Sequence, residues 1–292
     1  MPTTTTAGPK GLYPDFTFIA REVLPDALLY QLATIAGAIQ GDEPAIRVPY
    51  IVTDPTPGFV AEGDEIAVDE PELDEVLVRT SKLAHIMRQT NESAASLDAS
   101  ELLATSMSRA MTHKANTALL TNPITRQDPA DETSPVMQPI GLVNTPGITD
   151  AGLWILATDN NFDPLMDALT TVQVNGGEPT HITTDPLTWA RLSKLKQADS
   201  SNVPLLGSPS AQVDRTLFGL PVIVTAALTT PGILITDQAN IVAADATLQI
   251  ATSDQHFFGS DSLARRATWR IGWNMVRPNR SAFLEVEPEP AP

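Results

Sequence analysis

The chain has 292 residues, of which 42% are hydrophobic, and a formal net charge of −17. This length allows two domains or one elaborate domain, and the hydrophobic fraction is sufficient for a core. The sequence contains no cysteine, which excludes disulfides and thiolate metal sites. So acidic a chain also lacks the clustered Lys and Arg that a broad nucleic-acid surface requires.

Neither membrane insertion nor secretion is indicated by the sequence. No run of about 18 apolar residues is present, so we predict no membrane span and no membrane partner. The start MPTTTTAGPK lacks the basic and apolar parts of a signal peptide. We therefore expect synthesis in the cytoplasm.

The N-terminal part predicts an extended polar arm over residues 1–15 and then a short helix over residues 25–40. Pro25 suits the first turn of a helix, and Gly41 suits its end. The helix prediction rests on apolar residues at helical spacing, which are Leu28, Leu29, Leu32, Ile35, Ala36 and Ile39.

Residues 45–81 predict a long β-hairpin. Two runs, AIRVPYIVTD and EVLVRTSKL, are rich in strand-forming residues, and a turn-rich segment separates them. No Lys or Arg lies between Arg47 and Arg79, whereas nine acids do: Asp54, Glu62, Asp64, Glu65, Asp69, Glu70, Glu72, Asp74 and Glu75. Two interpretations stay open, a solvated loop kept soluble by charge and a docking surface for a basic partner.

The stretch from Asp98 to Thr121 predicts one long amphipathic helix, which organises the rest of the chain. Asp98 and Glu101 have the spacing of a capping box, and Pro123 disfavours helix at Asn122. At 1.5 Å per residue the helix would be about 36 Å long, enough to span a domain. Its apolar stripe contains Leu103, Met107, Ala110, Met111, Ala115, Ala118 and Leu119.

After a Pro-rich connector over residues 122–150, the pattern alternates between helices and strands and predicts an α/β unit. Asp163 and Asp185 are expected to cap two helices, because each is followed by a proline. The runs THITTD, LPVIVT, GILITD and NIVAADATLQIATS predict strands. The segment from Leu263 to Leu284 is again extended and carries five arginines without an acid.

No catalytic or metal-binding motif is evident. The four histidines are too far apart in sequence to indicate a metal pair, and no Walker-type, Gly-x-Ser-x-Gly or Gly-x-Gly-x-x-Gly element occurs. We therefore predict a protein that is not an enzyme and that needs no cofactor.

The order of these segments resembles the major capsid protein of tailed double-stranded DNA phages, over roughly residues 20–286. The resemblance rests on PGFVAEGDEI in the hairpin, on VRTSKLAHIMRQTNESAASLDASELLATSMSRAM running from strand into helix, on ITTDPLTWARLSKLK and FGLPVIVT, and on the return RATWRIGWNMVRPNRSAFLEV. It implies an α+β fold of the type named for phage Hong Kong ninety-seven. The implied parts are an N-terminal arm and short helix (1–44), an extended loop (45–80), a peripheral domain with a spine helix (81–139), an axial domain (140–255), and return strands with a tail (256–292).

The resemblance also implies a function and partners. Such subunits assemble with copies of themselves into hexamers and pentamers of an icosahedral head around double-stranded DNA. The alternative is the shell protein of an encapsulin-type bacterial compartment. The short stretch before the first predicted helix implies a separate scaffolding protein, and a portal and a decoration protein are further expected partners. Given the charge of −17, contact with packaged DNA should be weak and non-specific.

In the family that the chain resembles, the extended loop lies across a neighbouring subunit and in some members forms a Lys–Asn cross-link. No Lys lies between Pro44 and Ser81, so we predict no such bond. Instead, loop acids should meet basic residues of the neighbour, the alternative being that the arginines are solvated or pair within their own subunit. The candidates are Glu62, Asp64, Glu65, Asp69 and Glu70 on one side and Arg109, Lys114, Arg265, Arg266, Arg270, Arg277 and Arg280 on the other.

Overall fold

The computed structural model describes residues 15–39, 45–53, 55, 59–60, 71–94, 97–128, 130–131, 134, 136–156, 161–196, 203–206 and 215–287. Within these residues the chain forms two sheets, each packed on its own large apolar cluster. Short 3-10 helices lie between some of the elements, at Leu142–Asn144, Gln238–Asn240, Phe258–Ser260 and Pro278–Arg280.

The larger sheet is built around one long strand near the C-terminal end. Its strands are β1 (Asp15–Phe18), β2 (Thr34–Ala38), β3 (Ala45–Thr53), β4 (Glu72–Thr90), β10 (Ile241–Asp245), β11 (Leu248–Phe257) and β12 (Ser262–Met275). One edge of β12 pairs first with β11 and then with β10, and its other edge pairs with β4 over eleven positions. The close approach of β4 requires glycine at position 272, where a Cβ would lie 2.3 Å from the Arg79 carbonyl oxygen.

One face of this sheet is covered by the long helix α4 (Leu97–Thr121), which follows the short helix α3 (Asn91–Ala94) and confirms the prediction. Met107, Met111 and Leu119 of α4 are buried in a cluster with Trp269 and Trp273 of β12. Most of the apolar stripe read from the sequence therefore faces the sheet, whereas Ala110, which was assigned to it, is exposed. The side chains of the expected capping box lie outside the described residues.

The predicted helix over residues 25–40 is confirmed only at Leu29–Leu32 and is wrong at residues 34–38. The chain forms helix α1 (Ala20–Val23), helix α2 (Leu29–Leu32) and then strand β2, which pairs in parallel with β10. Pairing with β10 satisfies the backbone of residues 34–38, so tertiary contacts override an ambiguous apolar pattern. Ile35, expected on the apolar stripe, is consequently exposed.

The predicted hairpin is confirmed by the antiparallel pairing of β3 with β4, from Ala45 opposite Arg79 to Thr53 opposite Glu72. Its inner face packs Ile46, Val48 and Tyr50 against a small cluster that contains Val76 and Val242. Most of the tip between the two strands lies outside the described residues.

The second sheet has the order β5-β13-β9-β6-β8-β7 and, with two helices, confirms the α/β unit. Asp185 caps one helix by accepting from the amides of Leu187 and Thr188, as predicted. Asp163 does not cap the other: it is the first helical residue, Phe162 holds the cap position, and the Asp163 carboxylate accepts from Asn161 instead. The elements are β5 (Thr149–Trp154), α5 (Asp163–Val174), β6 (His181–Thr184), α6 (Pro186–Lys194), β7 (Thr216–Leu217), β8 (Leu220–Val224), β9 (Gly232–Thr236) and β13 (Ala282–Val286).

The strand pairing groups some segments differently from the sequence-based division. Residues 241–255 were expected with the axial segment, but β10 and β11 pair with β12 in the larger sheet. Conversely, β13 was expected among the return strands and pairs with β5 and β9 in the second sheet.

Candidate self-association surfaces

The described part of the hairpin is acidic, and residues of its own chain neutralise this negative charge only in part. Arg47 forms an exposed salt bridge with Glu75, and the Tyr50 hydroxyl donates to Asp74 at 3.3 Å. An exposed ion pair of this kind contributes only about 0 to 1 kcal/mol. The five loop candidates, Glu62, Asp64, Glu65, Asp69 and Glu70, lie outside the described residues.

Exposed apolar side chains accompany this acidity. Phe59 in the loop has a relative exposure of 111%, and Leu73 at the start of β4 has 69%. Ile51 and Val52 on β3 are also exposed. Several exposed apolar residues on one element, here the hairpin, are typical of an interface with another protein.

Basic residues of α4 lie on the side of the helix away from the sheet. Arg109 and Lys114 are exposed, whereas Met107, Met111 and Ala115 between and beside them are buried. Both cations are therefore available to a partner on this side of the larger sheet.

The three candidate arginines of β12 are divided between the two faces of the sheet, because neighbouring residues of a strand point in opposite directions. Arg265 lies opposite Met87, on the face that packs against α4. Arg266 and Arg270 lie on the opposite face, where Arg270 is paired with Lys82 of β4. Lys82 is exposed and was not among the sequence-based candidates.

A groove of about 270 Å³ opens on this second face, and Lys82, Gln249, Thr268 and Arg270 line it. The Arg270 guanidinium also donates to the Thr80 hydroxyl at 3.2 Å. Three side chains with positive charge, Lys82, Arg266 and Arg270, thus lie on one face of two adjacent strands. That arrangement suits a carboxylate-rich segment.

Two further candidate arginines contact their own subunit. Arg277 donates to the carbonyl oxygens of Ile51 and Val52 in the hairpin. Arg280 packs its guanidinium against Gly176, just past the C-terminus of α5. A cation is favourable at this negative end of the helix dipole. For these two residues the structure agrees with the alternative of contacts within the subunit.

Arg88 is a structural arginine that sequence reasoning did not single out. Its Nε donates to the Ser262 hydroxyl at 3.1 Å, and its guanidinium carbon lies 5.6 Å from the centre of the Phe257 ring. It ties the end of β4 to the turn between β11 and β12. Only the register between β4 and β12 reveals this role, and the sequence alone does not supply that register.

Among the described residues, no group of three or more His, Asp or Glu side chains is placed to hold a metal ion. Likewise, none of the helices in the described ranges is both long and apolar enough to cross a membrane. Burial lowers the pKa of His181, which contacts the Thr180 hydroxyl and has the character of a structural histidine.

The chain thus has a sheet backed by one long helix, a second α/β unit, and a hairpin whose surface is acidic and partly apolar. This combination is typical of a subunit that associates with other chains. The sequence agrees: residues 17–286 match the model of the phage capsid family, and the chain belongs to that family. No curated protein matches the sequence significantly.

Solved structures with the same fold include capsid proteins of phage-like particles. A chain from Gordonia phage Cozz aligns with a TM-score of 0.69 at 18% identity, covering 98% of this chain and 93% of that one. A chain from the capsid of an empty GTA particle, computed with C5 symmetry, has a TM-score of 0.67 at 16% identity and 90% coverage of both chains. A chain from Mycobacterium phage Bobi has a TM-score of 0.62 at 15% identity, with 90% and 91% covered.

These findings confirm the main expectations from the sequence. The fold is of the Hong Kong ninety-seven type, and the protein is a structural major capsid protein that self-associates into the icosahedral shell of a phage. Membership of this family assigns it a structural role in the virion and not an enzymatic one. The encapsulin alternative is not favoured.

Proposed function

We propose that the chain forms both hexamers and pentamers of the shell, with the β3–β4 hairpin as the main element that reaches a neighbouring copy. The observation that carries this proposal is the hairpin itself. Its β4 residues 72–79 lie beyond the part of β4 that pairs with β12, β3 has no buried residue, and exposed apolar side chains lie on both strands and in the acidic loop. Contacts that repeat from copy to copy around a ring would cover this surface without a second kind of protein.

Loop acids of one subunit then meet cations of the next. The acids are Glu62, Asp64, Glu65, Asp69 and Glu70. Among the basic candidates, Arg266, exposed on the second sheet face, is favoured over Arg277 and Arg280, which contact their own chain. Arg270 lies on the same face as Arg266 but also donates to Thr80 of its own chain, so it ranks second. Arg109 and Lys114, exposed on the other side of the sheet, and Arg265 are the remaining candidates. These pairs would act in steering and register more than in stability.

The peripheral domain in this proposal is the larger sheet with α4, and the axial domain is the six-stranded sheet with α5 and α6. Separate apolar clusters support the division, since each sheet packs mainly on its own core. The C-terminal strand β13 is assigned to the axial domain because it pairs with β5 and β9.

Further partners follow from the family resemblance: a separate scaffolding protein, a portal and a decoration protein, with synthesis in the host cytoplasm. Packaged DNA would be held by confinement, because a subunit charge of −17 opposes tight phosphate binding. Purified shells should not retain DNA fragments on a filter at physiological salt. Tight retention would contradict the charge argument.

Electron microscopy of purified particles tests the proposal. We expect closed shells in which both six-fold and five-fold rings of this chain are resolved, with density for the β3–β4 hairpin crossing onto a neighbouring subunit. Shells made of five-fold rings alone would refute the hexamers. Hairpin density confined to its own subunit would refute the proposed contact.

A further inference from the structure

Arg277, which directly follows β12 and Val276, contacts three consecutive residues at the outer end of β3. Its Nη2 donates to the carbonyl oxygens of Ile51 and Val52, the second at 3.4 Å. Its guanidinium carbon lies 5.7 Å from the centre of the Tyr50 ring, within the range of a cation–π interaction. These are among the last residues of β3 before the loop, and Arg277 is more than 220 positions away in sequence.

The Arg277 guanidinium supplies hydrogen-bond donors to backbone carbonyls of β3, which is an edge strand. Among the described strands, β3 pairs with β4 alone, so its other edge has no neighbouring strand. Carbonyl groups on such an edge need a partner other than a strand. Nη2 of a guanidinium carries two N–H donors and can therefore serve two adjacent carbonyls, as it does here for Ile51 and Val52.

The backbone from which Arg277 extends is itself held rigidly. Asn240 is 5% exposed, and its side-chain oxygen accepts from the Arg277 amide at 2.7 Å while its side-chain nitrogen donates to the Arg277 carbonyl, also at 2.7 Å. This reciprocal pair fixes the main chain at position 277. The guanidinium is therefore presented from a fixed point of the body.

Two neighbouring residues join the hairpin to the same part of the body. The Asn274 side chain donates to the Leu77 carbonyl on β4 at 3.0 Å, and Val276 packs on the cluster formed by the inner face of the hairpin. Asn274 and Val276 hold the base of the hairpin. Of these three residues, Arg277 is the one that reaches the outer end.

We propose that Arg277 is the positioning residue of the β3–β4 hairpin: it fixes the direction in which the hairpin leaves the body and so where the loop meets the next subunit. The second half of this statement rests on the proposed function. The first half concerns the single chain and is independent of it. The sequence suggested Arg277 as a contact to a neighbour, and the geometry assigns it to the loop's own support.

Hydrogen exchange on the full-length chain before assembly tests the first half. In the variant Arg277→Ala, amides of residues 45–53 should exchange about three- to tenfold faster than in the native chain, because a solvent-accessible charge-assisted contact is lost. Arg277→Lys should also be faster, since lysine has a shorter side chain and lacks the planar group that reaches both carbonyls and lies near the Tyr50 ring. Peptides from β9 and β13 should not change.

Arg266→Ala is the matched control, because it removes the same charge from an exposed position of β12 that lies opposite Ile86, beyond the part of β4 that pairs with β3. Equal exchange of residues 45–53 in Arg277→Ala and Arg266→Ala would overturn the proposal. Should the alanine variant not fold, Arg277→Lys decides in the same way.

Particle diameter measured by electron microscopy tests the second half. Arg277→Ala should assemble into shells of broader size distribution than the native chain and than Lys194→Ala, which removes an exposed charge of α6. Faster exchange with particles of native size would overturn the link to assembly and leave the support role standing. Failure of the native chain to form rings would instead refute the proposed function.

Discussion

Strand β9 and strand β3 represent two ways of using apolar residues in one chain. All five residues of β9, Gly232–Thr236, are buried between its neighbours and the helices, whereas none of the nine residues of β3 is buried. The six-stranded sheet thus obtains its stability within the chain. The hairpin has one apolar face on its own body and exposes apolar residues elsewhere, and in our proposal a neighbouring subunit covers these, as in assemblies whose subunits depend on one another.

The largest expected effect separates the two regions by mutation. Ile233→Ala removes a fully buried side chain of β9 and should lower the free energy of unfolding by about 2 to 5 kcal/mol. Leu73→Ala in the hairpin, where Leu73 is 69% exposed, should change it by no more than about 0.5 kcal/mol. Urea unfolding of the unassembled chain measures both. Similar decreases in the free energy of unfolding for both variants would contradict the difference between the two regions.

The next effect concerns the whole assembly. If the hairpin surface is stabilised by neighbours, unassembled subunits should melt well below shells, because burial between copies contributes only in the shell. Differential scanning calorimetry of both forms gives the comparison. Equal melting temperatures would show that the chain needs no neighbour.

Charge reversal in the loop tests what the neighbour contributes. Replacing Glu62, Asp64 and Glu65 by Lys should slow assembly several-fold at low salt, because attraction to the basic sheet face becomes repulsion. Light scattering follows the assembly rate. Adding Arg266→Asp and Arg270→Asp should partly restore it.

The control for this experiment reverses three exposed acids of the six-stranded body, Asp167, Glu178 and Glu285, to Lys, with the same change in net charge. It should assemble at a rate nearer the native one. If both triple variants are slowed equally, net charge and not pairing explains the result.

The smallest expected effect is a pH dependence of the free energy of unfolding, caused by Asp245 at the end of β10. Burial raises the pKa of Asp245, which accepts a hydrogen bond from the Tyr30 hydroxyl at 2.9 Å, while Arg21 acts in the opposite direction. A raised pKa means that the folded chain binds the proton more tightly. This contribution to stability is full below the ordinary Asp pKa and is lost as pH rises through the raised value.

Asp245→Asn should remove that loss. The free energies of unfolding of the native and variant chains should therefore diverge between pH 4 and neutrality. Because the carboxyl is half-buried and screened by solvent, the difference should stay below about 1 kcal/mol. Urea unfolding at several pH values measures it. Parallel pH profiles for the two chains would contradict the assignment.

The parts of the fold that could be predicted have strong local signals. The helix α4 has a sustained apolar stripe, the hairpin has two β-rich runs around a turn-rich loop, and Asp185 with Pro186 marks a helix start. Each of these patterns lies within one short segment of chain. Their structure therefore follows from local chemistry.

The parts that were missed depend on pairing between distant segments. Residues 34–38 become a strand only because β10 provides a parallel partner, and β13 joins the second sheet through β5 and β9. The basic face likewise needs the register that places Lys82 beside Arg270. Composition along the chain contains no information about such registers.

Hydrogen exchange of the native chain, compared before and after assembly, tests the central contrast most directly. We predict that amides of residues 45–53 and 72–78 become at least tenfold better protected in shells, while those of β9 and β13 are already protected in the subunit and change little. Unchanged exchange of the hairpin on assembly would contradict its role as the element that a neighbouring subunit stabilises.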